Sequence, residues 1–204
     1  GELLPPHFIL EIFVYKKYIL GNGGFAQEVF EQIILKEEAE SFGGFIILKN
    51  DKAYCISEDG ASLFNHDEKS SFIIGTSNKD WRNNFISYFT SYYPLNITHF
   101  PNIIAHNAHV SETGIMGIGN VFLSFSLLNA NAEIGNFNTF NCYASVYHDC
   151  KLGDNNFLHQ YASSKSNTTI GDNNILDPGE VLFEDMQDNE LLSMGLVHGE
   201  EKLP

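Results

Sequence analysis

Residues 121–168 divide into sixes: VFLSFS, LLNANA, EIGNFN, TFNCYA, SVYHDC, KLGDNN, FLHQYA, SSKSNT. The second residue of each six belongs to a longer column, Val110, Met116, Phe122, Leu128, Ile134, Phe140, Val146, Leu152, Leu158, Ser164, Ile170, Leu176 and Leu182, which is apolar everywhere except Ser164. A helix would place its apolar residues three and four apart, and a half-buried strand two apart. Period six fits neither. It fits short flat strands joined by tight corners, three strands to a coil, with one apolar side chain per strand filling a three-sided prism. The motifs Ile134-Gly135-Asn136, Leu152-Gly153-Asp154 and Ile170-Gly171-Asp172 recur at spacing eighteen, one coil of three sixes. Glycine there is expected to relieve a sharp corner, and the following Asn or Asp to bond its own turn. From Val110 to Leu182 the pattern predicts about four coils.

The repeat fills only the second half of 204 residues, so two domains are expected, 1–100 and 101–204. Lys16 to Leu20 reads as a strand, Gly21-Asn22-Gly23-Gly24 as a tight turn, and Phe25 to Glu37 as a helix with Val29, Phe30, Ile33 and Ile34 on one face. Further strands are predicted at Phe42 to Leu48, Ser71 to Gly75 and Asn96 to Phe100, and a helix from Asp80 to Tyr92 behind a cap at Gly75 to Asn78. The first domain is therefore predicted to be a small Rossmann-like α/β unit with a parallel sheet. Gly21-x-Gly23-x-x-Ala26 matches a dinucleotide fingerprint, but the strand from Phe42 ends in Ile46-Ile47-Leu48-Lys49 where a nicotinamide site needs an acidic residue.

A net charge of −15 argues against nucleic acid or an anionic membrane as partner. Cys55, Cys142 and Cys150 show neither metal nor disulfide spacing, which fits a reducing, cytoplasmic compartment. Cys150 falls in the small-residue row of the prism and is expected to be packing. No apolar run reaches the roughly 18 residues of a membrane span, and Gly1 to Val14 lacks the basic start of a signal peptide. His106 and His109 are read as solvated or capping side chains, so no metal site is expected.

The glycine turn Gly21-Asn22-Gly23-Gly24-Phe25-Ala26, followed by a prism containing Tyr147-His148-Asp149-Cys150-Lys151-Leu152-Gly153-Asp154, resembles the sugar O- and N-acyltransferases related to the sialic acid O-acetyltransferase. The resemblance implies a left-handed parallel β-helix of hexapeptide repeats. It also implies a homotrimer and acetyl-CoA lying in a groove between subunits. The acceptor would be an amino or hydroxyl group of a sugar, nucleotide-linked, for surface glycan synthesis. Carried over by motif, His148 is the general base, Asp149 the acid that tunes it, and Asn141 a polar group of the site. Gly21, Asn22, Gly23, Gly24 and Phe25 fall in the nucleotide-binding turn. Beside that resemblance, His159 is a candidate for the acceptor pocket, and Lys151 and Lys165 are candidates for the phosphates of CoA. Catalysis by a histidine also follows from the chemistry, because attack on a thioester needs a base that accepts a proton at neutral pH.

Three departures from the family pattern keep an alternative open, a non-catalytic trimeric scaffold that has lost nucleotide and CoA binding. Phe25 stands where a His is usual, Ile46-Ile47 where an Asp pair is usual, and Gly195-Leu196-Val197-His198-Gly199 replaces the family's closing signature.

Overall fold

The computed structural model describes residues 15–34, 41–57 and 60–193. The readings made of residues 1–14, of the end of the first helix near Glu37 and of the tail at 195–199 lie outside them.

In the N-terminal region β1 (Lys16–Leu20) leads through the Gly21–Gly23 turn into α1 (Gly24–Val29), which widens into a π-helical turn at Phe30–Ile34. There follow β2 (Phe42–Lys49), β3 (Lys52–Ser57), β4 (Gly60–Leu63), β5 (Ser70–Ile74) and α2 (Lys79–Tyr92). The sheet order is β4-β3-β2-β1-β5. Strand β1 runs parallel to both β2 and β5, while β2–β3 and β3–β4 are antiparallel. The sheet is thus mixed, not parallel as expected. The cause is local: Asn50 and Asp51 both take positive φ, 50° and 56°, the geometry that turns a strand straight back on itself. The strand expected at Asn96 to Phe100 is also absent. Asn96 Oδ1 accepts hydrogen bonds from the Thr98 and His99 amides, both at 3.0 Å, and closes a turn instead. The cap before α2 is present, with Asn78 Oδ1 accepting from Trp81 N at 3.0 Å.

From Ile103 onward the chain is a left-handed β-helix of about five coils, one more than the column from Val110 implied. One wall stacks Ile103–Ile104, Val121–Phe122, Thr139–Phe140, Phe157–Leu158, Ile175–Leu176 and Leu191–Leu192 in parallel. The second wall includes Leu127–Leu128, Ser145–Val146 and Ser163–Ser164, the third Glu133–Ile134, Lys151–Leu152 and Thr169–Ile170. Within these walls the pairings join residues eighteen apart, except the last, which sets Ile175–Leu176 against Leu191–Leu192 at sixteen, so the period-six column becomes the interior. Phe122, Leu128, Phe140, Val146, Leu158 and Leu176 are wholly buried in one cluster, with Val110 and Met116 packed at its end. Ser164, the polar exception, is buried but not orphaned, since its Oγ accepts from Tyr147 N at 3.2 Å. Cys150 is buried beside it.

The corners work differently from the sequence-based expectation. Left-handed φ falls not on the repeating glycines but on the fifth residue of each six, among them Asn131, Tyr143, Asp149, Tyr161 and Asn167. Gly135, Gly153 and Gly171 are needed for closeness. A Cβ on Gly153 would collide with Asp172 Oδ1 and lie 2.9 Å from Gly171 O. Nor do the following acids bond their own turn. Asp154 Oδ1 accepts from Asn136 N and Asp172 Oδ1 from Asp154 N, each at 2.7 Å and one coil away. Gly153→Ala is therefore expected to cost about 1–3 kcal/mol, read as a fall of several degrees in the melting temperature.

The two regions are joined by a buried cation. Arg82 of α2 is 1% exposed and reaches the solenoid, donating from Nε to Asn155 Oδ1 at 2.9 Å and from Nη1 to Thr139 Oγ1 at 3.0 Å. It also donates to the carbonyls of Phe137 and, at 3.1 Å, Thr76. Burial pulls its pKa down to about 9, which still leaves it charged at neutral pH. Alongside, Phe25 of α1 packs edge-on against Phe157 of the first wall, with ring centroids 5.1 Å apart.

Candidate active site

His148 and Asp149 occupy the corner between the second and third walls. Neighbours on a strand point to opposite faces and could not meet. Here Asp149 takes φ 59°, a conformation that Asp tolerates better than most residues. The bend lets the pair face each other, and His148 Nδ1 lies 2.7 Å from Asp149 Oδ2. Both side chains are about half exposed, 50% and 44%. Asn131, one coil earlier, donates from Nδ2 to Asp149 Oδ1 at 3.1 Å. The backbone is tied as well, with Asp149 N donating to Ala130 O and Asn167 N to His148 O.

The hydrogen bond from His148, and next that from Asn131, hold the Asp149 carboxyl below its ordinary 3.8. An ionised carboxylate on Nδ1 keeps the proton there and leaves Nε2 as an acceptor. A depressed folded-state pKa also sets the direction of a stability effect. The contribution of Asp149 is present above the unfolded value and is lost as pH falls through the lower folded one. Melting curves of the native chain and of Asp149→Asn should differ above about pH 4 and converge as the solution is made more acid.

Lys151 and Lys165 flank the same edge. Lys151 is exposed on the third wall three residues past His148, and Lys165 is exposed one coil beyond Tyr147. Asn141 and His159 lie elsewhere, at the end of the first wall, one coil apart in the same column. Asn141 is 2% exposed, and its Oδ1 accepts from Cys142 N at 2.7 Å. His159 packs on Phe157, which also meets Phe25, and burial pushes the His159 pKa below the ordinary value. The π-helical turn closes that side, with Gln32 Oε1 accepting from Ser124 N at 3.1 Å. Apart from Gly21 to Gly24, the sequence-predicted residues therefore form two groups in one chain: His148 and Asp149 with two lysines at one edge, and Asn141, His159 and Phe25 beside the N-terminal region.

Gly21 to Phe25 line a cleft of about 420 Å³ together with Ile47, Leu48, Thr76 and Trp81. Ile46 is not in that cleft, being wholly buried in the sheet. Three contributors escaped the sequence reading. Asn131 was within reach, because it stands eighteen residues before Asp149. Arg82 stands three and seven before Phe85 and Phe89, on the buried face of α2. Trp81 stands four and eight residues before Phe85 and Phe89, a spacing that groups it with the apolar face of α2, yet it is 45% exposed.

No protein-family model and no curated protein matches the sequence. Several solved structures match in fold. The acetyltransferase domain of PglB from Neisseria gonorrhoeae FA1090 aligns with a TM-score of 0.61 at 19% identity, over 84% of this chain and 93% of that one. PerB from Caulobacter crescentus, solved with CoA and GDP-perosamine, aligns with a TM-score of 0.60 at 22% identity, over 86% and 92%. WeeI from Acinetobacter baumannii AYE aligns with a TM-score of 0.60 at 17% identity, over 87% and 96%. At these identities the likeness is one of fold alone, and it spans the N-terminal region and the solenoid together, since more than four fifths of this chain is covered in each case.

Proposed function

We propose that the chain is an acetyl-CoA-dependent acyltransferase that acetylates an amino or hydroxyl group of a nucleotide-linked sugar, with His148 as general base. The observation that carries this reading is the His148–Asp149 pair, 2.7 Å apart on an exposed corner of the solenoid. Nε2 takes the proton of the acceptor as its nitrogen or oxygen attacks the thioester carbonyl. The tetrahedral intermediate then collapses, the C–S bond breaks, and the imidazolium returns the proton to the CoA sulfur. No covalent enzyme intermediate is required. PerB, solved with CoA and GDP-perosamine, supports the choice of donor and of acceptor class.

The separation of the two residue groups supports a homotrimer. A threefold arrangement sets the His148 edge of one chain against the Asn141–His159 side of the next, with acetyl-CoA between them and Lys151 and Lys165 near its phosphates. The acceptor enters over the Gly21–Phe25 turn. Nucleotide-linked sugars for surface glycans are made in the cytoplasm, and that is where this reading places the chain.

Purified protein mixed with acetyl-CoA and a panel of nucleotide-linked amino sugars is expected to release CoA thiol and yield a product heavier by one acetyl group. Calorimetry should show saturable CoA binding, and sedimentation should give three times the chain mass. A monomer that binds no CoA would sink the proposal.

A further inference from the structure

The cleft over the Gly21–Phe25 turn adjoins a second one of about 370 Å³, and Leu48 and Trp81 line both. The second cleft runs on over Lys49, Asp51 and Asn84. Together they form a trough, each part of which has the volume of a small-molecule site. Its phosphate end is the glycine turn. There Gly21 has φ 120°, and a Cβ would lie 2.8 Å from Gly75 O, so only glycine permits the approach of strand and turn. Behind Thr76, whose carbonyl it bonds, sits the buried Arg82, which makes no ion pair among the described residues. Its uncancelled charge favours a polyanion in the cleft.

The middle of the trough is unusual. In doubly wound sheets the end of the second strand carries the acidic group that bonds the ribose hydroxyls. Here that end presents Ile47 and Leu48, and among the described residues no charged side chain lines the first cleft. A 2′-hydroxyl laid against these two side chains gains no hydrogen bond from either, because both are apolar. A 2′-deoxyribose loses nothing there. Beyond it, the half-exposed indole of Trp81 is placed to stack on a base.

Building on the nucleotide-sugar reading above, we infer that this trough selects sugars activated by a 2′-deoxyribonucleoside diphosphate. The diphosphate lies at the Gly21–Gly24 turn, the deoxyribose over Ile47 and Leu48, and the base against Trp81. Trp81 is the single tryptophan of the chain, so its fluorescence reports occupancy directly. The test titrates the full chain with dUDP and with UDP, which differ only in the 2′ oxygen, following fluorescence and heat.

The expected result is saturable binding in which dUDP is about tenfold tighter than UDP. Ile47→Asp, which restores an acceptor for the hydroxyl, is expected to narrow or reverse that ratio. Equal or tighter binding of UDP by the native chain overturns the deoxyribose inference and leaves the nucleotide reading standing. Absence of saturable binding by either nucleotide overturns both, and an unchanged preference in Ile47→Asp also counts against the inference.

Discussion

His148→Ala is expected to lower kcat/KM for acetyl transfer by about 10²–10⁴, the usual worth of a positioned general base. The protein should otherwise be unaltered. His148 is half exposed and its side chain is bonded to Asp149, itself exposed, so truncation strands no buried polar group. CoA affinity should therefore stay near its native value, and the melting temperature should fall only by the small contribution of the exposed His148–Asp149 contact, while turnover collapses. Asp149→Asn should cost less, because Asp149 acts through the imidazole and Asn131 still anchors the corner. An amide at that position can also bond Nδ1 in the other tautomer, so part of the loss should reflect a misplaced proton. Thiol release by His148→Ala at the native rate would remove this residue from the chemistry.

Arg82→Met is expected to destabilise the protein by about 3–5 kcal/mol, a loss of roughly 10 °C or more in melting temperature. The guanidinium satisfies the Phe137 and Thr76 carbonyls, Asn155 Oδ1 and Thr139 Oγ1, all at the seam between α2 and the solenoid. A thioether fills much of the volume and makes none of those bonds. Each buried acceptor left without a donor costs about 1–3 kcal/mol, partly relieved by relaxation. Lysine would reach only part of the set, so Arg82→Lys should fall between the two. A melt of Arg82→Met within about 2 °C of the native value, a shift worth under about 1 kcal/mol, would show that the seam is held by other contacts, such as Phe25 on Phe157.

Asn155 illustrates how the seam and the solenoid share parts. It takes left-handed φ at its corner, accepts from Arg82, and donates to Asn83 Oδ1 at 2.7 Å. One residue thus serves both the coil geometry and the docking of α2. From sequence it is simply one Asn of the Gly-Asp-Asn-Asn corner.

The solenoid was legible because its interior repeats. A side chain every six residues must face the axis of a three-sided prism, so the column Phe122, Phe140, Leu158 declares its own burial without reference to any distant residue. The corner chemistry was legible only in part. The repeating glycines stood out, yet their reason is the oxygen of the next coil, which linear reading cannot weigh against backbone strain. The antiparallel edge β3–β4 carries no expectation from sequence, and the turn at Asn96 stands where a strand is expected, because short polar turns, not hydrophobic periodicity, decide both.

For the candidate site, motif and chemistry singled out His148 and Asp149 from the chain alone. Only the folded corner, with Asp149 at φ 59°, brings their side chains to 2.7 Å. Likewise the chain announces an apolar pair at Ile46-Ile47, but the sheet alone decides that Ile46 is sealed inside while Ile47 lines the trough. Local periodicity is a property of neighbours along the chain and survives in one dimension. Which groups meet, and which cation lies uncancelled behind which cleft, depends on contacts between residues as far apart as Arg82 and Asn155, and those exist only once the two regions have packed.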